Sequence, residues 1–176
     1  TGRVPVESFL PLLRDLVLSG TYDLDPSKND FPVTLHDPCN YVRQMGIVEP
    51  QREILRAVLP EGRFKEMYPH GVDNYCCGGG SGFAIMNSLN FSDFRDNVSS
   101  RMKLKQILDA FGPEDIYNTD LVKYVCAPCS NCKGTFRDML AIGVSTKNYN
   151  FQYGGLVELV VNAMTKFDEP FFEFLQ

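Results

Sequence analysis

LVKYVCAPCSNCKGTF, residues 121–136, is the stretch on which the fold turns. Its first half is rich in β-branched and aromatic residues, the composition of a buried strand. The chain then turns at Pro128 and enters CKGTFRDMLAIG, residues 132–143, which predicts a helix that Gly143 can cap. Strand, cysteines, helix is the pattern of a βα unit. The same pattern stands earlier. VTLHD, residues 33–37, reads as a buried strand that runs into Pro38 and Cys39. PQREILRAVLPEG, residues 50–62, follows as a helix with Pro50 in its first turn, Gly62 closing it, and Ile54, Leu55, Val58 and Leu59 as its buried stripe.

The remaining segments fill in around these two units. ESFLPLLRDLVL, residues 7–18, places Phe9, Leu10, Leu13, Leu16 and Val17 at helical spacing, and residues 19–32 read as a loop rich in Gly, Pro, Asp and Ser. RFKEMYPH, residues 63–70, reads as a short strand. FSDFRDNVSSRMKLKQILDAFG, residues 91–112, predicts one long helix with Val98, Met102, Ile107, Leu108 and Phe111 on one side, stopped by Gly112 and Pro113. GLVELVVNAMTKF, residues 155–167, is the last expected helix. Glu158, Asn162 and Thr165 form its polar edge, opposite Leu156, Val160, Ala163, Met164 and Phe167. Strands alternating with helices predict an α/β domain: a mainly parallel sheet flanked by helices. Ligands of such sheets bind beyond the carboxyl ends of the strands. Cys39 and Cys126 both stand at expected strand ends, so the cysteine site is expected there.

Composition narrows the class. The 176 residues are 44% hydrophobic and 22% charged, which suits one folded domain over residues 1–176. The net charge of −5, with no block of Lys or Arg, argues against nucleic acid or an anionic membrane surface as partner. No apolar run approaches the roughly 18 residues of a membrane span. The chain begins at Thr1 without a basic-then-apolar leader, so the expectation is a piece of a longer protein without a signal peptide.

Six cysteines fall in three short motifs: Cys39, the adjacent pair Cys76 and Cys77, and Cys126, Cys129 and Cys132 in CAPCSNC. A chain of this size needs no disulfide staples, and clustered cysteines point to metal or redox chemistry in a reducing, cytoplasmic compartment. A C-x-x-C turn converges two thiolates on a metal. Adjacent side chains point to opposite sides of an extended strand, so Cys76 and Cys77 reach one site only through a sharp turn. Two neighbouring irons of one cluster accept such a pair with less strain than a single small ion. Gly78, Gly79 and Gly80 then permit positive φ and close backbone approach, and their N–H groups can form a concavity for anionic sulfur. GGGSG lacks the Lys of a phosphate loop, and its glycine spacing is not the dinucleotide fingerprint.

Nearby residues have two readings each. His36 is either a ligand or proton shuttle, or a core histidine bonded to Asp37 or the backbone. Lys133 and Arg43 either favour thiolates or are solvated side chains. His70 reads as a surface residue, and Tyr75 and Tyr124 as packing residues.

HDPCNYVRQMGIVEPQREIL, CCGGGSG and CSNCKGTF together resemble the cysteine-rich CCG domain found in the B subunit of heterodisulfide reductase and its family, over about residues 32–165. VCAPCSNCKGTF resembles the heterodisulfide-reductase-like iron–sulfur subunit of sulfite-reduction-associated membrane complexes. The resemblance implies five ligands, Cys39, Cys76, Cys77, Cys129 and Cys132, for a [4Fe–4S] cluster that is noncubane in the reductase relative. It also implies a thiol or disulfide substrate, in the nearest relatives a small protein with a cysteine-bearing C-terminal arm. Partner subunits of a redox complex would connect it to the membrane. Two departures stand out: the gap before the closing C-x-x-C is longer than usual, and Cys126 is extra, as ligand, resolving thiol or bystander. Two rival readings remain: a structural zinc domain using four of the six thiolates, and a metal-free dithiol oxidoreductase using Cys129 and Cys132.

Overall fold

The structure is a computed structural model that describes residues 2, 4–80, 83, 86, 89–91, 93–142, 146 and 148–167. Four short strands make one sheet: β1 (Val33–Leu35), β2 (Phe64–Lys65), β3 (Lys123–Cys126) and β4 (Phe151–Gly154). Their order is β2-β1-β3-β4 and every pairing is parallel. The α/β class expected from the sequence is therefore the observed one.

The side-chain period of two sorts the strands between two helical layers. Val33, Leu35, Tyr124 and Cys126 face one core together with α1 (Phe9–Leu18), α2 (Glu49–Val58) and α5 (Leu156–Ala163). Val125, Phe151 and the following Ala127 face the other, against α3 (Arg101–Tyr117), α4 (Ser130–Phe136) and a wide helical turn over Arg137–Ile142. Of the expected stripe on α1, Leu10, Leu13 and Val17 are buried while Phe9 is exposed. All four residues of the α2 stripe are buried. Among the described residues no helix is long and apolar enough to cross a membrane.

Several expectations need correction. β4 is a strand where the sequence pattern announces none; its aromatics alternate over only four residues, too short a run to show its period. The long helix over residues 91–112 is a wide turn, Arg95–Ser99, followed by α3, which begins at Arg101. Gly112, at φ 76°, kinks α3 rather than stopping it, and one more turn runs to Tyr117. The buried side of α3 also differs: Val98 and Met102 are exposed, whereas Lys103, Leu104, Gln106, Ile107 and Phe111 are buried. Two long polar side chains with buried partners shift the inner face by about one residue. Finally, α5 ends at Ala163, and Met164 leaves in extended geometry to bridge Leu24. Its Asn162 is no polar edge. It is buried and donates to the Asn29 side chain at 2.9 Å, while Asn29 donates to the carbonyls of Val58 (2.8 Å) and Leu159 (3.0 Å). That relay closes the ends of α2 and α5 together. The capping Gly143 expected after α4 lies outside the described residues.

A buried ion pair fixes the carboxyl end of β1. Arg52, on α2, grips Asp37 with two bonds of 2.9 and 2.6 Å and also reaches Glu66. Asp37 additionally accepts from the Gly71 N–H at 2.6 Å. Arg52→Ala leaves the Asp37 carboxylate buried without its cation. The expected loss is about 3–5 kcal/mol of unfolding free energy, read from urea denaturation.

Candidate functional site

The parallel register sets Leu35 of β1 beside Cys126 of β3, and the His36 N–H continues the ladder to the Cys126 carbonyl at 2.8 Å. Both strands therefore end at one level and their exit loops emerge side by side. The β1 loop carries His36, Asp37 and Cys39. The chain after β2 brings Asn74, Cys76 and Cys77. The β3 loop carries Cys129, and Cys132 lies in the first turn of α4.

His36, Cys39, Cys76, Cys77 and Cys132 line one open pocket. Cys129, half-buried, lies within hydrogen-bonding reach of Cys132. Five of the six cysteines are thus gathered. Cys77 and Cys132 are buried at its floor, Cys39 and Cys76 are exposed at its mouth, and no cysteine is in a disulfide. Cys126 is different. It points through the opposite face of the sheet into the α1–α2–α5 core, fully buried among apolar residues. Burial pushes its thiol up, away from the thiolate form.

The glycine loop is shaped to present sulfur. The N–H of Gly78 donates to Cys76 Sγ at 3.3 Å, and that of Gly79 to the Cys77 sulfur. Gly78 sits at φ 75°, and a Cβ there would lie 1.9 Å from the Ser99 carbonyl oxygen. A Cβ on Gly79 would lie 1.8 Å from Thr135 Oγ1. Gly80 has open space around it. The loop is tied down from outside: Ser100 Oγ donates to the Cys77 carbonyl at 2.7 Å, and Arg95 Nη1 to the Gly78 carbonyl at 3.0 Å. Arg95 is itself held by buried Asp138 at 3.0 Å.

Charge in the pocket is strongly perturbed. Cys132 donates its thiol proton to Cys77, which holds Cys77 down at about 4 against the effect of burial, with His36 and the Gly79 N–H assisting. The same bond raises Cys132, the donor. Burial drives His36 below its ordinary range. It also draws Lys103 down to about 7, an effect that Asp37 and Cys77 oppose.

Several two-sided readings resolve. His36 is a buried residue bonded within the site: Nε2 lies 3.2 Å from Cys132 Sγ and Nδ1 3.3 Å from the Asn74 amide nitrogen. Lys133 is engaged by Glu158. Arg43 fastens the segment before the cysteine pair through the carbonyls of Val72 (2.7 Å) and Asn74 (2.6 Å). Tyr124 is buried packing, Tyr75 borders the pocket, and His70 is exposed. Sequence reasoning missed Asn74, Arg95, Lys103 and Asp138. Their one trace is charge or polarity inside segments otherwise read as apolar, and it does not distinguish a buried partner from a solvated face.

Residues 33–137, the span from β1 to the end of α4, match the CCG family, described as the cysteine-rich domain. This chain belongs to the CCG cysteine-rich domain family. All six cysteines of this CCG domain lie in the matched span. It is 31% identical over 158 residues to the Hdr-like menaquinol oxidoreductase iron–sulfur subunit of Archaeoglobus profundus, covering 88% of this chain and 26% of that protein. A second such subunit, from Archaeoglobus fulgidus, is 31% identical over 151 residues, covering 83% and 24%. The D subunit of the dihydromethanophenazine:CoB–CoM heterodisulfide reductase of Methanosarcina acetivorans is 29% identical over 119 residues, covering 68% and 26%. The CCG domain described here thus spans about a quarter of the length of these relatives. No solved structure matches it.

The glycine geometry gives a contrast to measure. Gly78→Ala puts a side chain in the left-handed region and against the Ser99 carbonyl, so the expected loss is at least about 1–3 kcal/mol, with weakened metal uptake. Gly80→Ala stays within about 0.5 kcal/mol of wild type. Urea unfolding and metal titration of both variants read the difference.

Proposed function

We propose that this CCG domain holds an iron–sulfur cluster through Cys39, Cys76, Cys77, Cys129 and Cys132 and exchanges electrons with a thiol or disulfide at its open face. The observation that carries this reading is the convergence of five free thiols from three loops at one sheet edge, with the sixth excluded. The donor set fits the group: it is all sulfur, backbone N–H groups face Cys76 and Cys77, and Cys77 favours the thiolate that iron requires. A [4Fe–4S] cluster, noncubane as in the reductase relative, suits an adjacent cysteine pair. Bound there, it supplies single-electron steps and thiophilic iron.

The chain's own residues do the rest. Gly78 and Gly79 stabilise charge on sulfur through their N–H groups, and Arg95 and Ser100 keep that loop in place. Exposed Cys39 and Cys76 mark the side from which a substrate sulfur approaches. A substrate disulfide takes up two electrons and two protons, its S–S bond breaks, and two thiols leave; oxidation of a dithiol is the reverse. Electrons enter or leave through iron–sulfur and membrane-connected subunits, in line with the names of the relatives. A cysteine-bearing C-terminal arm of a small protein would reach the exposed Cys39 and Cys76 from that side. The domain works in a reducing, cytoplasmic setting and meets the membrane only through its partner subunits.

One observation favours zinc instead. His36, Cys77 and Cys132 place their ligand atoms within 4.8 Å of one another. However, the Asn74 amide nitrogen faces Nδ1 of His36, which favours the ring proton on Nε2, the atom facing the sulfurs. A metal ligand needs the lone pair there. The histidine is therefore a donor to sulfur rather than a third ligand.

Anaerobic reconstitution with iron and sulfide tests the assignment. Serine at Cys39, Cys76, Cys77, Cys129 or Cys132 is expected to cut bound iron several-fold. Cys126→Ala keeps wild-type iron. Stoichiometric zinc with no iron, or full iron in the Cys39 and Cys77 variants, overturns the proposal.

A further inference from the structure

We propose that His36 is a fixed hydrogen-bond donor to the Cys132 sulfur that raises the reduction potential of the centre, and that Asn74 and Lys103 are the positioning residues that hold it in the donating tautomer. The inference rests on the cluster reading above.

The chain of bonds runs inward from Lys103. Lys103 Nζ carries N–H donors whether charged or neutral, whereas a backbone carbonyl can only accept. Lys103 Nζ bonds Asn74 Oδ1 at 2.6 Å, and it also engages the Gln106 side-chain oxygen and Met67 Sδ (3.6 Å). The oxygen of the Asn74 amide faces Lys103. Its nitrogen is the end that faces the pocket. A second contact requires the same orientation, because Asn74 Nδ2 donates to the Asp37 carbonyl at 2.9 Å. The remaining hydrogen of that nitrogen points at His36 Nδ1, 3.3 Å away. Nδ1 must then carry the lone pair, and Nε2 the proton. Nε2 lies 3.2 Å from Cys132 Sγ and within hydrogen-bonding reach of Cys77 as well.

The ring has no freedom to turn away. His36 is 1% exposed, and Phe136 meets it edge-on with centroids 5.2 Å apart at 82°. His36, Asn74 and Lys103 come from three different parts of the chain, the exit of β1, the loop before the cysteine pair, and α3. Lys103 and Asn74 are buried, at 0% and 3% exposure, so water does not compete for these bonds. Burying a lysine and an asparagine costs stability unless their bonds are made. Here the bonds of the Asn74 side chain to Lys103 and to the Asp37 carbonyl set which end of its amide faces His36.

The consequence is electronic. Reduction adds negative charge that spreads onto the ligand sulfurs, and a donor hydrogen bond stabilises that charge. Removing the donor disfavours the reduced state. His36→Leu is expected to lower the reduction equilibrium constant about tenfold, which is about 59 mV for a one-electron couple. Asn74→Leu shifts it in the same direction by freeing the tautomer. His36→Gln, which keeps an N–H at that reach, restores most of the difference.

The experiment is an anaerobic redox titration followed by electron paramagnetic resonance on the reconstituted wild-type, His36→Leu, His36→Gln and Asn74→Leu chains. A second readout is the 15N–1H correlation pattern of His36 in the iron-free, reduced chain. It is expected to show Nε2–H in wild type and a loss of that preference in Asn74→Leu. If His36→Leu does not retain iron, Asn74→Leu and His36→Gln carry the comparison. Unchanged potentials in iron-loaded variants, or an Nδ1–H tautomer in wild type, overturn this inference and leave the cluster assignment intact. A wild-type chain that takes up no iron overturns the cluster assignment instead, and the tautomer measurement still decides the hydrogen-bond chain.

Discussion

The parallel pairing of β1 with β3 is the constraint on which the rest of the molecule depends. It fixes where two strands stop, and both stop together. Leu35 lies against Cys126, the His36 N–H closes the ladder, and the next residues of each strand have nowhere to go but the same edge. Cys39 and Cys132 are 93 positions apart in sequence, yet they meet because of that register. A slip by one residue would reverse which side chains face which layer. In β3 a slip would carry Cys126 through to the other face of the sheet; in β1 it would carry Leu35 out of its core.

Buried charge then turns loops at that edge into fixed structure. Arg52 holds Asp37, and Asp37 holds the Gly71 N–H, so the exit of β1 and the approach to the cysteine pair share one anchor. Arg95 and Asp138 do the same for the glycine loop. Lys103 completes the set through Asn74. Apolar packing alone would leave the loops free to rearrange around the thiols. Directional bonds to backbone carbonyls and amides do not.

The sequence was legible where one physical rule dominated. The two βα units, the stripe on α2 and the gathering of cysteines at strand ends all follow from periodicity and topology. The adjacent cysteines with their glycines were legible because no ordinary structural need explains them. What stayed hidden was decided by partners distant in sequence. Lys103 and Gln106 face inward because Asn74 and the Pro69 carbonyl meet them there, which no local pattern announces. Asn162 looked like a solvent edge until Asn29 was placed beside it. Cys126 reads as part of CAPCSNC, but strand alternation sends it through the sheet while the turn after it delivers Cys129 and Cys132. His36 is ambiguous for the same reason: the amide beside its ring belongs to an asparagine 38 positions away.

Fold, loop anchoring and hydrogen bonding therefore converge on one edge of the sheet, where five free thiols gather. The family places this chain among cysteine-rich domains; two of the relatives are named as iron–sulfur subunits of a menaquinol oxidoreductase and one as a heterodisulfide reductase subunit. Mössbauer spectroscopy of the chain loaded anaerobically with 57Fe tests the central claim most directly. The expected spectrum is that of one spin-coupled, sulfur-ligated cluster accounting for all bound iron. A spectrum of isolated mononuclear iron would contradict it.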